Sequence, residues 1–250
     1  MMEKLFNMRY LGFIIFCFVI FFSCNNHQEE KDLSIKVDKL EEELKNLNEK
    51  EISGTYIGDF GSNLINITLF DCKDGIAKGY SVCAGNDRDI SGFYNHIGDG
   101  LYEFELDEPG DNKYDGSFKF KLDINTQIIQ GDWVPYKDIV KPKSYRLKRK
   151  DFQYDINNGN FSYASQRYLT QEELLGFELE ELSEMRNEIY ARYGYSFKTK
   201  HWRHYFEDKD WYIPTRTDIR DQITRIESKN IKLIKDLEEY WDLEYDVFGR

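Results

Sequence analysis

The sequence is short of cysteine, of basic charge and of any apolar run able to span a bilayer, and each shortage removes a class of function. With 34 Lys and Arg against 46 Asp and Glu, the formal net charge is -12. Nucleic-acid binding needs a basic stripe that displaces counterions, and the one dense basic run, residues 141–150, is broken by Pro142, Ser144, Tyr145 and Leu147. No nucleic-acid partner is expected. The longest apolar run, residues 10–22, falls short of the ~20 residues of a comfortable spanning helix. There is no Gly-x-Ser-x-Gly, phosphate loop, dinucleotide fingerprint or Cys–His pair placed for nucleophilic work. That weighs against an enzyme and leaves an envelope hydrolase acting on glycan or peptide as the alternative.

What is present describes a folded chain of one or two domains, with 40% hydrophobic and 16% aromatic residues in 250. Lys4 and Arg9 precede the apolar run, which ends at Ser23-Cys24-Asn25-Asn26. A charged segment followed by a short apolar one is the pattern of a secretion signal. Ile20-Phe21-Phe22-Ser23-Cys24 resembles a bacterial lipobox, and Phe21, where most such motifs carry Leu, resembles the Bacteroidetes-type variants. The resemblance implies cleavage after residue 23 and diacylation of the Cys24 thiol, a palmitate-type lipid anchor that fixes the mature chain to a membrane. The acidic pair Glu29-Glu30 resembles a surface-export signal, and outer-membrane, periplasmic and surface-facing locations stay open. Of the remaining cysteines, Cys72 and Cys83 either pair outside the cytoplasm or stay as two thiols.

The fold class expected is α+β. Residues 24–51 read as a tether and a short coiled-coil-like helix, because Leu33, Val37, Leu40, Leu44 and Leu47 fall at spacings of four and three. Residues 52–149 alternate apolar and polar residues between frequent turns, clearest in Ile65, Ile67 and Leu69, in Tyr102, Phe104 and Leu106, and in Phe118, Phe120 and Leu122. The spacing predicts an antiparallel meander of about eight strands, a small barrel or sandwich resembling a calycin, either filled by its own side chains or holding one small ligand. Residues 150–168 read as a linker, and residues 169–245 as helical. Thr170 with Glu173 predicts a capping box, Gly194 a left-handed helix end, and the apolar stripe from Ile219 to Trp241 a long closing helix.

In that helical region, Leu182-Ser183-Glu184-Met185-Arg186-Asn187-Glu188-Ile189-Tyr190-Ala191-Arg192-Tyr193-Gly194-Tyr195-Ser196-Phe197, then Tyr205-Phe206, Trp211-Tyr212 and Pro214, then Ile226-Glu227-Ser228-Lys229-Asn230-Ile231, resemble the YARHG domain. Tyr193 stands where that family's name-giving histidine would be, which argues against catalysis at this position. The resemblance implies a small extracytoplasmic module. Read physically, Arg186, Asn187 and Arg192 on one helix and Glu227 and Asn230 on another are placed to pin the two helices together. The sharper reading is an anion or glycan site on Arg186 and Arg192, with Trp211 and Tyr212 as sugar-stacking aromatics.

The remaining candidate chemistry is thin. His201 and His204 lie three apart rather than at the four-residue spacing of a helical metal pair, and Asp111 to Gly116 opens like a calcium loop but puts Lys113 at the third ligand position. Neither metal nor cofactor is expected. Glu103, Glu105, Asp107, Glu108 and Asp132 include carboxylates for acid–base work, yet Glu103 and Glu105 alternate with apolar residues and so face solvent. The chain reads as a membrane-anchored extracytoplasmic lipoprotein that binds or scaffolds at the cell envelope, with cell-wall glycan or an envelope protein as partner. A small-ligand carrier using the barrel is the third class.

Overall fold

Alternate residues of the β-rich segment turn inward and close it into a ring. The computed structural model describes residues 27–110 and 112–247; the signal segment and Cys24, with their expected cleavage and lipidation, lie outside the described residues, as does Asp111. Eight strands follow in order: β1 (Gly54–Phe60), β2 (Asn63–Lys73), β3 (Ile76–Cys83), β4 (Asn86–Gly98), β5 (Leu101–Asp107), β6 (Gly116–Asp123), β7 (Ile128–Pro135) and β8 (Lys143–Arg149). Each pairs antiparallel with the next, and β8 returns to β1, so the choice between barrel and sandwich falls to a closed barrel. Closure leaves no edge strand to recruit another chain. The two-residue turn between β2 and β3 has both central residues at positive φ, Asp74 at 53° and Gly75 at 79°, the geometry that matches strand twist.

Inside, Ile65, Ile67, Leu69, Tyr102, Phe104, Leu106, Phe118, Phe120 and Leu122 are all buried. Phe104 stacks on Phe120 at 4.8 Å and on Tyr94 at 5.2 Å, so aromatic rings occupy the interior themselves. Burying each such side chain contributes roughly 1.5–3 kcal/mol. Cys72 faces Ala77 and Cys83 faces Ile65 in the β2–β3 register, which puts the two thiols at opposite ends of that strand pair. Both are free, and burial pushes them up to about 12 and about 11.

Ahead of the barrel, α1 spans His27–Ile52. Of its heptad seam, Leu40 lies exposed, and coiled-coil pairing is not supported. No helix among the described residues is long and apolar enough to cross a membrane. The residues from Glu49 onward form one compact unit, separate from those before it.

The helical region comprises α2 (Tyr163–Gln166), α3 (Gln171–Leu174), α4 (Leu179–Arg192), α5 (Lys200–Glu207) and α6 (Arg225–Val247). Thr170 and Glu173 form a reciprocal capping box, as do Glu178 and Glu181 at the start of α4. Gly194 ends α4 at φ 74°. Helix α6 starts at Arg225 rather than near Ile219, because Thr224 Oγ1 accepts the Glu227 amide at 3.2 Å while Glu227 accepts the Thr224 amide at 2.9 Å, a further box that fixes the start. Leu182, Met185 and Ile189 of α4 pack with Ile234 and Leu237 of α6. The helices rest on the side of the barrel through Asn66 Nδ2 to the Pro214 carbonyl at 2.9 Å, the Gly85 amide to Ser196 Oγ at 2.9 Å and the Leu64 amide to Glu207 Oε1 at 3.2 Å.

Candidate functional site

Two polar residues of α4, Arg186 and Asn187, each hold a buried donor without a partner and line an open groove among α4, α5, α6 and the segment before α6. Its volume is about 940 Å³, and its lining holds Arg186, Lys198, Arg220 and Lys235 with one acid, Asp218. Arg220 lies against Asp218, Nε to Oδ1 at 2.9 Å, and holds its carboxyl down at about 2. Arg186 gives one nitrogen to Glu238 of α6, Nη1 to Oε2 at 3.0 Å, while its Nε has no partner. Asn187 is 5% exposed, and its Nδ2 has no partner either. A buried donor without an acceptor costs about 1–3 kcal/mol, so this wall holds two unspent donors. Tyr195 and Trp202, both half-buried, add aromatic surface to the same lining.

Arg192 is used differently. Its side chain is 0% exposed and donates to the Asn158 carbonyl at 2.8 Å, the Phe161 carbonyl at 2.9 Å, Ser165 Oγ at 3.1 Å and Glu188 Oε2 at 3.3 Å. Glu188 in turn accepts the amides of Asn160 at 2.7 Å and Phe161 at 2.8 Å. Burial pushes the Glu188 carboxyl up, while these amides and the guanidinium pull it back. The pair therefore clamps residues 158–165 to α4, and the stretch read as a linker is bound into the helical region, with Ala164 in its core. Of the expected pins between α4 and α6, Arg186 makes one; Arg192 turns to the loop instead, and Asn230 of α6 holds the α2 end through the Ala164 and Arg167 carbonyls, both at 2.7 Å. Tyr193 is buried and donates to Glu227 Oε2 at 2.7 Å.

The structure thus places only Arg186, among the candidate binding residues, in the groove. Tyr212 is buried and donates to the Tyr195 carbonyl at 2.7 Å, and Trp211 packs in the cluster of Phe197 and Phe206. Trp202, Lys198, Lys235 and Asn187 were missed as site residues, since they come from three helices and a loop and share no short motif. His201 is exposed and meets Glu180 at 2.8 Å.

A second opening, about 370 Å³, lies at one mouth of the barrel between Phe60, Trp133, Lys143 and Glu108. Of the candidate carboxylates, Glu103, Glu105, Asp107 and Asp132 are exposed, and Glu108 alone is buried. Its Oε2 accepts Trp133 Nε1 at 3.0 Å and the Gly116 amide at 2.8 Å, and burial raises its pKa despite them. These bonds tie the β5–β6 connection to β7.

A family comparison covers this helical region. Residues 159–239 match the YARHG domain family. The match begins at Gly159, within the loop that Arg192 and Glu188 hold, so the clamp belongs to the YARHG domain itself. No curated protein and no solved structure matches the chain.

Proposed function

We propose that this protein is a lipid-anchored extracytoplasmic lipoprotein whose YARHG domain works as a non-catalytic binding module at the cell envelope. The observation that carries the reading is the division of labour on α4: Arg192 and Glu188 are consumed by the fold, whereas Arg186 and Asn187 keep donors free beside an open groove. Support for the location is the lipobox-like Ile20-Phe21-Phe22-Ser23-Cys24 and the extracytoplasmic character that a YARHG domain suggests. The test is a comparison of the wild-type chain with Cys24→Ser in cells fed labelled fatty acid. The expected result is label and membrane retention in the wild type and loss of both in C24S; an unlabelled wild type, or a C24S chain that stays membrane-bound, refutes the anchor. A second reading, a small-ligand carrier, is favoured by the opening at the barrel mouth, and mass spectrometry of ligand released from the purified chain tests it.

A further inference from the structure

We infer that the groove of the YARHG domain binds a carboxylated saccharide, an inference that rests on the binding-module reading and names its ligand class. Three features of the lining select this chemistry. First, the unpartnered groups there are donors: Arg186 Nε and the 5%-exposed Asn187 Nδ2 call for an acceptor oxygen, and an ionised one makes the stronger bond.

Second, the local charge opposes the global one. The chain carries -12 overall, which repels anions at long range, yet Lys198 and Lys235 line the groove without an ion pair among the described residues. Glu238 offsets Arg186, and Asp218 and Arg220 offset each other, so the two lysines supply the uncompensated positive charge. A cation pair kept free on an acidic surface selects for anions against the rest of the molecule.

Third, Trp202 and Tyr195 give the groove flat apolar faces with polar edges, which suits the C–H face of a pyranose ring. A volume of about 940 Å³ sits at the upper end of the range for small-molecule sites, and the groove is open, which fits a short saccharide segment rather than an enclosed metabolite. Sugar hydroxyls fill the remaining donors and acceptors along such a wall, and a carboxylate meets the lysines.

The experiment is titration of the full detergent-solubilised chain with tetragalacturonate and with the N-acetylglucosamine–N-acetylmuramic acid disaccharide, followed by tryptophan fluorescence and calorimetry. The carboxyl-reduced tetrasaccharide and an acetylated tetra-alanine with a free C-terminal carboxylate serve as the neutral-sugar and acidic-peptide arms. Binding of an acidic saccharide, at least about tenfold weaker for the carboxyl-reduced form and in Lys198→Glu/Lys235→Glu, is the expected result; a tenfold loss corresponds to about 1.4 kcal/mol. Trp202→Leu should weaken it similarly, and raising salt to about 0.5 M should weaken it too. Both lysines are exposed, so the charge reversal leaves the fold intact, with circular dichroism as the check. Equal binding of the neutral sugar, indifference to the lysine reversal, or no binding of either acidic saccharide overturns the inference. Preference for the peptide also overturns it, but leaves the binding-module reading standing; fatty-acid labelling of C24S tests the anchor independently.

Discussion

Replacing Arg192 by Met probes whether the clamp on residues 158–165 holds the YARHG domain together. Arg192 makes four hydrogen bonds from a fully enclosed position, two of them to backbone carbonyls and one to Glu188. Methionine fills much of the volume but donates nothing, so the Asn158 and Phe161 carbonyls lose their donors and Glu188 stays as a buried charge facing only two amides. Removing one partner of a buried ion pair costs about 3–5 kcal/mol. Lysine should not rescue, because one ammonium cannot reproduce a planar fork reaching acceptors on both sides. The double variant Glu188→Gln/Arg192→Met, which removes the stranded charge, should cost less than Arg192→Met alone. The assay is urea unfolding combined with native-state hydrogen exchange at the Asn160 and Phe161 amides, which donate to Glu188. A loss of about 3 kcal/mol speeds exchange at these amides by roughly a hundredfold. Wild-type exchange at both amides in Arg192→Met, or a double variant worse than the single one, would refute the reasoning.

Two further outcomes follow from other sites. Gly194→Ala should destabilise the chain by about 1–3 kcal/mol, because φ is +74° and the added Cβ would lie 2.4 Å from Thr215 Oγ1 and 2.8 Å from the Ile213 carbonyl; thermal unfolding reads this as a drop of roughly 2–4 °C per kcal/mol. Burial holds the Glu108 carboxyl above its ordinary value of 4.5, so the folded state binds the proton more tightly than the unfolded one. Its contribution is present at acid pH and is lost as pH rises upward from 4.5 through the folded-state value. Glu108→Gln should flatten that part of the stability profile measured by urea midpoints, and an unchanged slope would count against a buried carboxyl there.

Much of the architecture could be read from local pattern, because local pattern is what fixes it. The alternation at residues 65–69, 102–106 and 118–122 places the barrel's interior, and Thr170, Glu173 and Gly194 mark helix ends through bonds within a few residues. The same logic held more than was drawn from it. Glu108 continues the inward series of Tyr102, Phe104 and Leu106, so its burial was visible in the period. Thr224 with Glu227 is a capping box of the same form as Thr170 with Glu173, and it would have moved the start of α6. Other features were out of reach. Arg192 chooses the loop at Asn158 and Phe161 over α6, a choice made by three-dimensional proximity, and Arg186 finds Glu238 across 52 residues of chain. The groove gathers Asn187, Trp202 and Lys235 from separate helices and Lys198 from the loop between α4 and α5, so no spacing rule announces it.

The bond from the Gly85 amide to Ser196 Oγ has a consequence for how the two folded parts depend on each other. Ser196 lies two residues before Lys198, on the rim of the groove, and a Cβ on Gly85 would collide with Lys198 itself. A hairpin of the barrel therefore buttresses one bank of the opening, while the opposite bank belongs to α6. Cut free of its neighbour, the helical part would keep its own interior yet surrender the brace that sets the width of its mouth. The strands thus help set the shape of a groove that no strand lines.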